Sequence, residues 1–68
     1  MDLLKYDGRR RKVQEAFERM PRGARQECSF ELKIAPTYVG GVVNGRIVDE
    51  AKLKRIESWV SGHVQKVA

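Results

Sequence analysis

The chemistry that this sequence offers is that of basic side chains rather than that of a catalytic site. Fourteen Lys and Arg residues stand against nine Asp and Glu residues, which gives a net charge of +5. A basic surface attracts nucleic acid or anionic membrane, although the same charge occurs on proteins that bind neither. The sequence has no nucleophile–base pair, no catalytic carboxylate pair and no phosphate-binding glycine loop, so we expect no enzymatic activity.

The single cysteine and the single histidine limit the chemistry further. One cysteine cannot form an internal disulfide, and one cysteine with one histidine falls short of the usual four-ligand zinc site. We therefore expect no metal and no cofactor. Cys28 is expected to be a small buried residue, with redox sensing as the alternative, and His63 to be a surface residue. No apolar run reaches the ~20 residues that span a membrane and no signal peptide opens the chain, so we expect a cytoplasmic protein without membrane contact.

The apolar residues repeat with a helical period between turn signals. This period predicts helices over residues of roughly 9–20, 24–32 and 36–44, and a fourth that Asp49 caps and that runs nearly to the C-terminus. Gly62 is a candidate break in that helix, which makes four or five helices in all. Asp7 is the candidate N-cap of the first helix, and residues 1–8 are a candidate flexible arm. We expect residues 1–68 to form a single all-α domain, a compact bundle without a sheet.

Residues 25–44 have the spacing of a helix-turn-helix, in which two helices joined by a three- or four-residue turn pack closely. Such packing needs a small residue where the helices cross, and Ser29 supplies it. It also needs apolar residues beneath both helices and the turn, and the sequence provides Cys28, Leu32, Ile34, Val39 and Val42. Pro36 suits the first turn of the second helix, and Asn44-Gly45 suits its left-handed end.

The segment from Leu32 to Val39, with Val42 to Arg46 after it, resembles the Cro and lambda-repressor-like (XRE-type) DNA-binding family. The resemblance covers about residues 10–60. It implies that the helix at 36–44 enters the major groove of double-stranded DNA while the helix at 25–32 crosses the phosphate backbone. It also implies a transcriptional repressor of the minimal kind found in phages and mobile elements. Two positions depart from the family. Lys33 replaces the usual turn glycine, so either the turn is slightly distorted or Lys33 adopts a strained backbone, and Ala35 replaces the capping Ser or Thr.

The DNA-contacting residues predicted on this hypothesis lie on and beside the two helices. They are Arg25, Gln26, Pro36, Thr37, Tyr38, Gly40, Gly41, Asn44 and Arg46, with Arg10 and Arg11 from the basic run. The two glycines either let the helix backbone approach DNA closely or weaken the helix without a role, and both interpretations stay open. For the charged residues the alternative is an ordinary solvated surface, and for Tyr38 it is packing over Val42. Much of the affinity would come from phosphate contacts and DNA shape.

A homodimer or larger oligomer is expected, because one helix-turn-helix covers too few base pairs for useful specificity. The predicted interface contains Trp59, Val60, Val64 and Val67, and residues 61–68 are the candidate oligomerisation segment. The alternative for residues 61–68 is that they fold back onto their own domain or fray, and the alternative for Trp59 is that it broadens the core. A second function is a protein-interaction adaptor on the same scaffold that binds another regulator. By resemblance, an antirepressor protein is a further candidate partner.

Overall fold

A computed structural model describes the backbone of residues 2–67 and the side chains of residues 2–63. Within residues 2–67 the chain forms four α-helices and no strand, which confirms the all-α prediction. The helices are α1 (Leu3–Arg19), α2 (Ala24–Leu32), α3 (Pro36–Asn44) and α4 (Glu50–Val67). The predicted bounds of α2 and α3 are confirmed, as is the predicted course of α4 after Asp49, whereas α1 begins earlier than predicted. No helix in this described range is both long and apolar enough to cross a membrane.

The first helix begins earlier than the sequence predicted, at Leu3 instead of about residue 9. Its N-cap is Asp2, whose carboxylate accepts hydrogen bonds from the backbone N–H groups of Leu4 and Lys5 at 3.0 and 3.3 Å. The predicted cap, Asp7, is wrong, because Asp7 lies inside the helix. Residues 3–8 are therefore helical and not a flexible arm. Capping by an aspartate stabilises a helix by about 1 kcal/mol, which offsets the cost of placing a glycine within the first turns.

The fourth helix is continuous through Gly62, so the predicted break at this residue is wrong. The predicted cap of this helix is confirmed. The carboxylate of Asp49 accepts a hydrogen bond from the N–H of Lys52 at 3.0 Å, and its carbonyl accepts one from Leu53. Because these bonds satisfy N–H groups that would otherwise lack a partner, they fix where α4 starts.

All four helices contribute to one apolar core. Its six fully buried side chains of largest volume are Leu53, Ile56, Val39, Val42, Val43 and Cys28. The prediction that Cys28 is buried is confirmed. Burial, together with the negative charge of Glu31, raises the pKa of its thiol to about 11. Because the thiolate is the reactive form of cysteine, this thiol is held in its unreactive state at neutral pH.

Trp59 belongs to this core, which contradicts its predicted place in an oligomer interface. Its ring is 9% exposed and stacks between Phe17 and His63, with centroid distances of 6.0 and 3.8 Å. Its indole N–H donates a hydrogen bond to Glu31 at 2.8 Å. Val60 is also buried within the same chain. The prediction was wrong for these two residues because the other helices of the chain already cover the surface they offered.

His63 and the last two valines of the predicted interface belong to the last turns of α4. His63 is half-buried against Trp59 and is not the surface residue that was predicted. The side chains of Val64 and Val67 lie outside the described ones, so the expected role of residues 61–68 in assembly stays a prediction.

Candidate nucleic-acid interface

The connection between α2 and α3 consists of Lys33, Ile34 and Ala35. Lys33 adopts a left-handed backbone, with φ 57° and ψ 41°. Of the two outcomes that a lysine at this position allowed, the structure therefore shows the strained backbone. A left-handed conformation costs a residue with a Cβ about 1–2 kcal/mol. Ile34 is buried, and its N–H bonds the carbonyl of Ser29 at 2.9 Å, so the turn is held at both its core and its backbone.

The end of α2 is also tied to the last helix. The guanidinium of Arg55 donates a hydrogen bond to the carbonyl of Leu32 at 3.0 Å, which satisfies one of the carbonyls left free where a helix stops. Ser29 is 3% exposed, as the predicted crossing position requires, and its hydroxyl donates to the carbonyl of Gln26 at 2.7 Å. The pair of helices is thus fixed in orientation by packing and by satisfied polar groups.

One face of α3 is buried and the opposite face is open. Val39, Val42 and Val43 are fully buried, which confirms the predicted inward residues. Pro36, Thr37 and Asn44 are exposed, with the half-buried Gly40 between them in sequence. Residues spaced by three or four positions share one face of a helix. Thr37, Gly40 and Asn44 therefore form a single open stripe, which we call the α3 face together with Pro36.

The two glycines of α3 have different surroundings. A Cβ added at Gly40 would meet nothing within 4 Å, whereas one added at Gly41 would lie 2.6 Å from Cδ1 of Ile47. Gly41 is buried, so its predicted place on the DNA-contacting face is wrong. Its missing side chain instead leaves room for Ile47. Only Gly40 remains as a glycine on the open face.

Tyr38 is half-buried and packs against the core, in agreement with the alternative that the sequence left open. Its hydroxyl donates a hydrogen bond to the carboxylate of Asp49. This bond is the main cause that raises the pKa of Tyr38 and lowers the pKa of Asp49. Tyr6, buried beside them, bonds the N–H of Asp49 at 3.0 Å. The Tyr38 hydroxyl is therefore engaged within the chain.

Both helices begin without a side-chain cap. Gly23 precedes α2 and Ala35 precedes α3, and neither has a side chain that accepts a hydrogen bond from the first turn. The absence of a cap at Ala35 is the departure that the sequence had indicated. Uncapped N–H groups and the positive end of the helix dipole favour a nearby anion such as a phosphate.

The other end of α3 is closed by glycine and arginine. Gly45 has a φ of 88°, and the N–H groups of Gly45, Arg46 and Ile47 all bond carbonyls of the last turn. Arg10 of α1 donates a hydrogen bond to the carbonyl of Val43 at 2.9 Å. This arginine thus satisfies a carbonyl near the helix end, where a cation is also favoured by the dipole.

Arg10 was predicted to contact DNA, and its surroundings contradict that role. Its side chain is 11% exposed and also bonds Asp7 at 2.9 Å and Gln14 at 3.1 Å. Arg11 pairs with the same carboxylate at 3.1 Å but is largely exposed. Of these two arginines, only Arg11 remains a predicted DNA contact. Arg10 instead orients the end of α3.

The remaining predicted residues are accessible. Arg25, Gln26 and Arg46 are exposed. The guanidinium of Arg25 lies 5.9 Å from the centroid of the Phe17 ring, a cation–π contact that holds the arginine stem while leaving its donors available. Sequence reasoning treated Lys33 only as a turn defect, but it is an exposed cation between the two helices. None of Arg25, Lys33 and Arg46 forms an ion pair with an acidic side chain among residues 2–63.

Comparison of the chain with protein-family models, with curated proteins and with solved structures finds no match. A function for the chain has to be argued from its own residues. These residues offer an open helix face with short uncharged side chains, and Arg25, Lys33 and Arg46 are among the cations that form no ion pair within residues 2–63. Together they suit a polyanion whose surface has a groove.

Proposed function

We propose that the chain is a sequence-specific, double-stranded DNA-binding transcriptional regulator of the cytoplasm, a repressor of a phage or mobile-element operator. In this proposal residues 25–44 act as a helix-turn-helix of the lambda-repressor-like kind. The helix α3 would enter the major groove and α2 would cross the phosphate backbone. The observation that carries the proposal is the open α3 face together with Arg25, Lys33 and Arg46, exposed cations that form no ion pair among residues 2–63.

The short side chains of the α3 face support a close approach. A major groove admits an α-helix. The side chains between the helix backbone and the DNA determine how closely the two can approach. Thr37 and Asn44 have short polar side chains, and Gly40 adds none. Asn44 is suited to adenine, which an amide can bond at two atoms. With few side chains to read bases, phosphate contacts and DNA shape must supply much of the affinity.

Phosphate binding is supported by two kinds of group. Arg25 and Gln26 lie in the first turn of α2, where N–H groups are not capped by a side chain. Arg46 and Lys33 follow α3 and α2 respectively as exposed cations. Each phosphate neutralised releases counterions, so affinity should fall with salt at a slope of about −0.9 per contact.

A homodimer remains part of the proposal, because two half-sites one DNA turn apart give the specificity that one unit lacks. Its interface does not include Trp59 or Val60, which the chain buries itself. Sedimentation of the chain with and without operator DNA would give the stoichiometry.

Binding to a random duplex and to a selected operator over a range of salt concentrations tests the proposal. We expect Arg46→Ala to weaken binding to both duplexes and to make the salt slope about 0.9 less steep. Lys54→Ala, an exposed lysine of α4, is the matched control and should leave the slope unchanged. A chain that binds no duplex even at low salt would exclude the proposal.

The adaptor function is the second candidate, and one observation favours it. Phe30 of α2 is 85% exposed, and aromatic side chains are enriched at the core of protein–protein interfaces. An antirepressor or another regulator would be the partner. Retention of DNA binding in Phe30→Ser with loss of a co-purifying regulator would place both functions on one chain, on different residues.

A further inference from the structure

We propose that Glu27, Glu31 and His63 form a site for a divalent transition-metal ion of the zinc class. A carboxylate oxygen from each glutamate and a ring nitrogen of the histidine all lie within 4.8 Å of one another. The two glutamates are one turn apart on α2, and His63 belongs to α4. A bound ion would therefore link these two helices. The proposal does not depend on DNA binding.

The orientation of His63 fits a metal ligand. Its Nδ1 lies 2.8 Å from the carbonyl oxygen of Trp59, where a ring N–H donates a hydrogen bond. In the neutral imidazole the other nitrogen, Nε2, then carries a lone pair. Metal-binding histidines commonly donate one ring N–H to a carbonyl in this way, which fixes the ring and leaves the second nitrogen to the ion.

The position of Nε2 creates a need for a cation. This atom lies 3.6 Å from Oε2 of Glu31, so a lone pair faces a carboxylate oxygen. Two acceptors in this geometry repel unless a proton or a metal ion lies between them. Glu27 adds a second negative charge four residues before Glu31, and like charges at this spacing destabilise a helix. A divalent ion relieves both the repulsion between Nε2 and Glu31 and the repulsion between the two glutamates. A proton on His63 relieves only the repulsion between Nε2 and Glu31 in full.

The two carboxylates have complementary roles. Glu31 is held in place because its Oε2 also accepts the indole N–H of Trp59 at 2.8 Å. The side chain of Glu27 is exposed and makes no hydrogen bond with a described residue, so it can rotate toward the ion. Zinc bonds of about 2.0–2.2 Å place ligand atoms about 3.3–3.6 Å apart in a tetrahedron. The ligand atoms, which lie within 4.8 Å of one another here, have to approach to that range when an ion binds.

The chemistry of the three ligands selects the ion. Imidazole nitrogen suits zinc and cobalt, whereas magnesium and calcium prefer ligand sets made entirely of oxygen. Three protein ligands leave a position for water. The expectation of no metal site counted only cysteine and histidine as ligands. It did not weigh carboxylates, and nothing in the spacing of the sequence places Glu27 and Glu31 beside His63.

Trp59 gives this site a spectroscopic reporter, because it is the single tryptophan and its ring stacks on His63. The experiment is a titration of the full chain with cobalt chloride while tryptophan fluorescence is recorded. We expect saturable quenching with one ion per chain, reversed by zinc and unaffected by magnesium. Glu27→Gln and His63→Gln should each weaken binding at least about tenfold. Glu18→Gln, an exposed carboxylate of α1, is the control and should bind as the unchanged chain does.

Glu27→Gln is the decisive variant, because the side chain of Glu27 makes no hydrogen bond with a described residue. Glu27 is the acidic residue of the first turn of α2, so circular dichroism is used to verify that the helices are intact. Quenching that is absent, or that rises linearly without saturation, overturns the proposal. So does saturable binding that both variants retain. Binding that is lost only in Cys28→Ser would place the ion on the thiol and would also overturn it.

Discussion

Two groups of basic residues differ in what their side chains contact. The run from Arg9 to Lys12 in α1 is the densest positive charge in the sequence, yet its three arginines pair with acidic residues. The cations beside α2 and α3, which are Arg25, Lys33 and Arg46, form no such pairs with residues 2–63. The density of cations along a sequence therefore does not indicate which of them can bind an external anion.

The reason lies in the elements that face each group. Arg9 bonds Glu57 of α4 at 2.6 Å and approaches Glu50 at 3.5 Å. The hydrogen bond to Glu57 is the main cause that raises the pKa of Arg9. Asp7 lies one turn before Arg10 and Arg11 on the same helix. Asp49, which follows α3, is committed to Tyr38 and to the start of α4.

The largest effect is expected from Arg10→Ala, which tests the structural role assigned to the α1 group. The change removes a charged hydrogen bond and leaves the buried carbonyl of Val43 without its partner, so we expect a loss of about 1.5–3 kcal/mol. In a domain of this size each kcal/mol lowers Tm by about 4–8 °C. Arg11→Ala removes a cation from the same carboxylate at an exposed position and should cost less than about 1 kcal/mol. Equal losses in the two variants would contradict the assignment.

The sequence predicted most of what is local in this fold. Pro36 and Gly45 mark the two ends of α3, because the backbone conformation that each residue favours does not depend on the rest of the fold. The start of α1 was missed because Asp7 and Gly8 look like a boundary, while the actual cap, Asp2, stands at the beginning of the chain. Periodicity predicts which residues face inward, but it does not say from which helix their partners come.

In the candidate site, too, the sequence predicted local features but not the contacts between helices. Thr37 and Asn44 followed from the period of the buried valines. The role of Gly41 depends on Ile47 in the next loop, and that of Arg10 depends on a carbonyl 33 residues away. Trp59 was misplaced because Phe17 and Glu31, its partners, are on other helices. Contacts of this kind are tertiary and leave no signal in the spacing of one sequence.

Gly40→Ala tests whether the open face of α3 approaches DNA closely. Alanine is favoured over glycine in a helix by about 1 kcal/mol, and the new methyl group meets no atom of the chain. We therefore expect higher stability in urea unfolding. If the α3 backbone approaches DNA closely, operator binding should fall about tenfold, which corresponds to 1.4 kcal/mol.

The matched control is Gly41→Ala, where the same gain in helix propensity is offset because Ile47 has to move. Its stability should rise less than that of Gly40→Ala. Unchanged operator binding in Gly40→Ala would show that the open glycine has no part in a DNA contact.

Lys33→Gly separates strain from charge at the turn. Glycine adopts the left-handed backbone without penalty, so we expect the variant to be more stable by about 1 kcal/mol in thermal or urea unfolding. The same change removes an exposed cation. If Lys33 contacts a phosphate, binding weakens while stability rises, and the salt slope becomes about 0.9 less steep. Lys33→Asn keeps a residue that tolerates this backbone and also lacks the charge, so it should reproduce the binding loss. Stability that falls in Lys33→Gly would be inconsistent with the strain.

Tyr38→Phe removes the hydrogen bond to Asp49, and its effect on stability should differ from that of the other variants in its dependence on pH. Asp49 has a lowered pKa in the native state, so its contribution is present above the ordinary value of 3.8 and is lost as pH falls through the native value. Tyr38 has a raised pKa, so its contribution is complete below the ordinary value of 10.0 and is lost as pH rises through the native value. The stability difference between the unchanged chain and Tyr38→Phe should therefore be greatest between these limits and shrink beyond both. Asp49→Asn keeps a side chain that caps α4. It should remove the acid limb and weaken the basic limb, because Asp49 is also the main cause that raises the pKa of Tyr38. Urea unfolding from pH 2 to 11 measures the difference, and a difference that is constant across that range would show that the Tyr38–Asp49 bond does not stabilise the loop between α3 and α4.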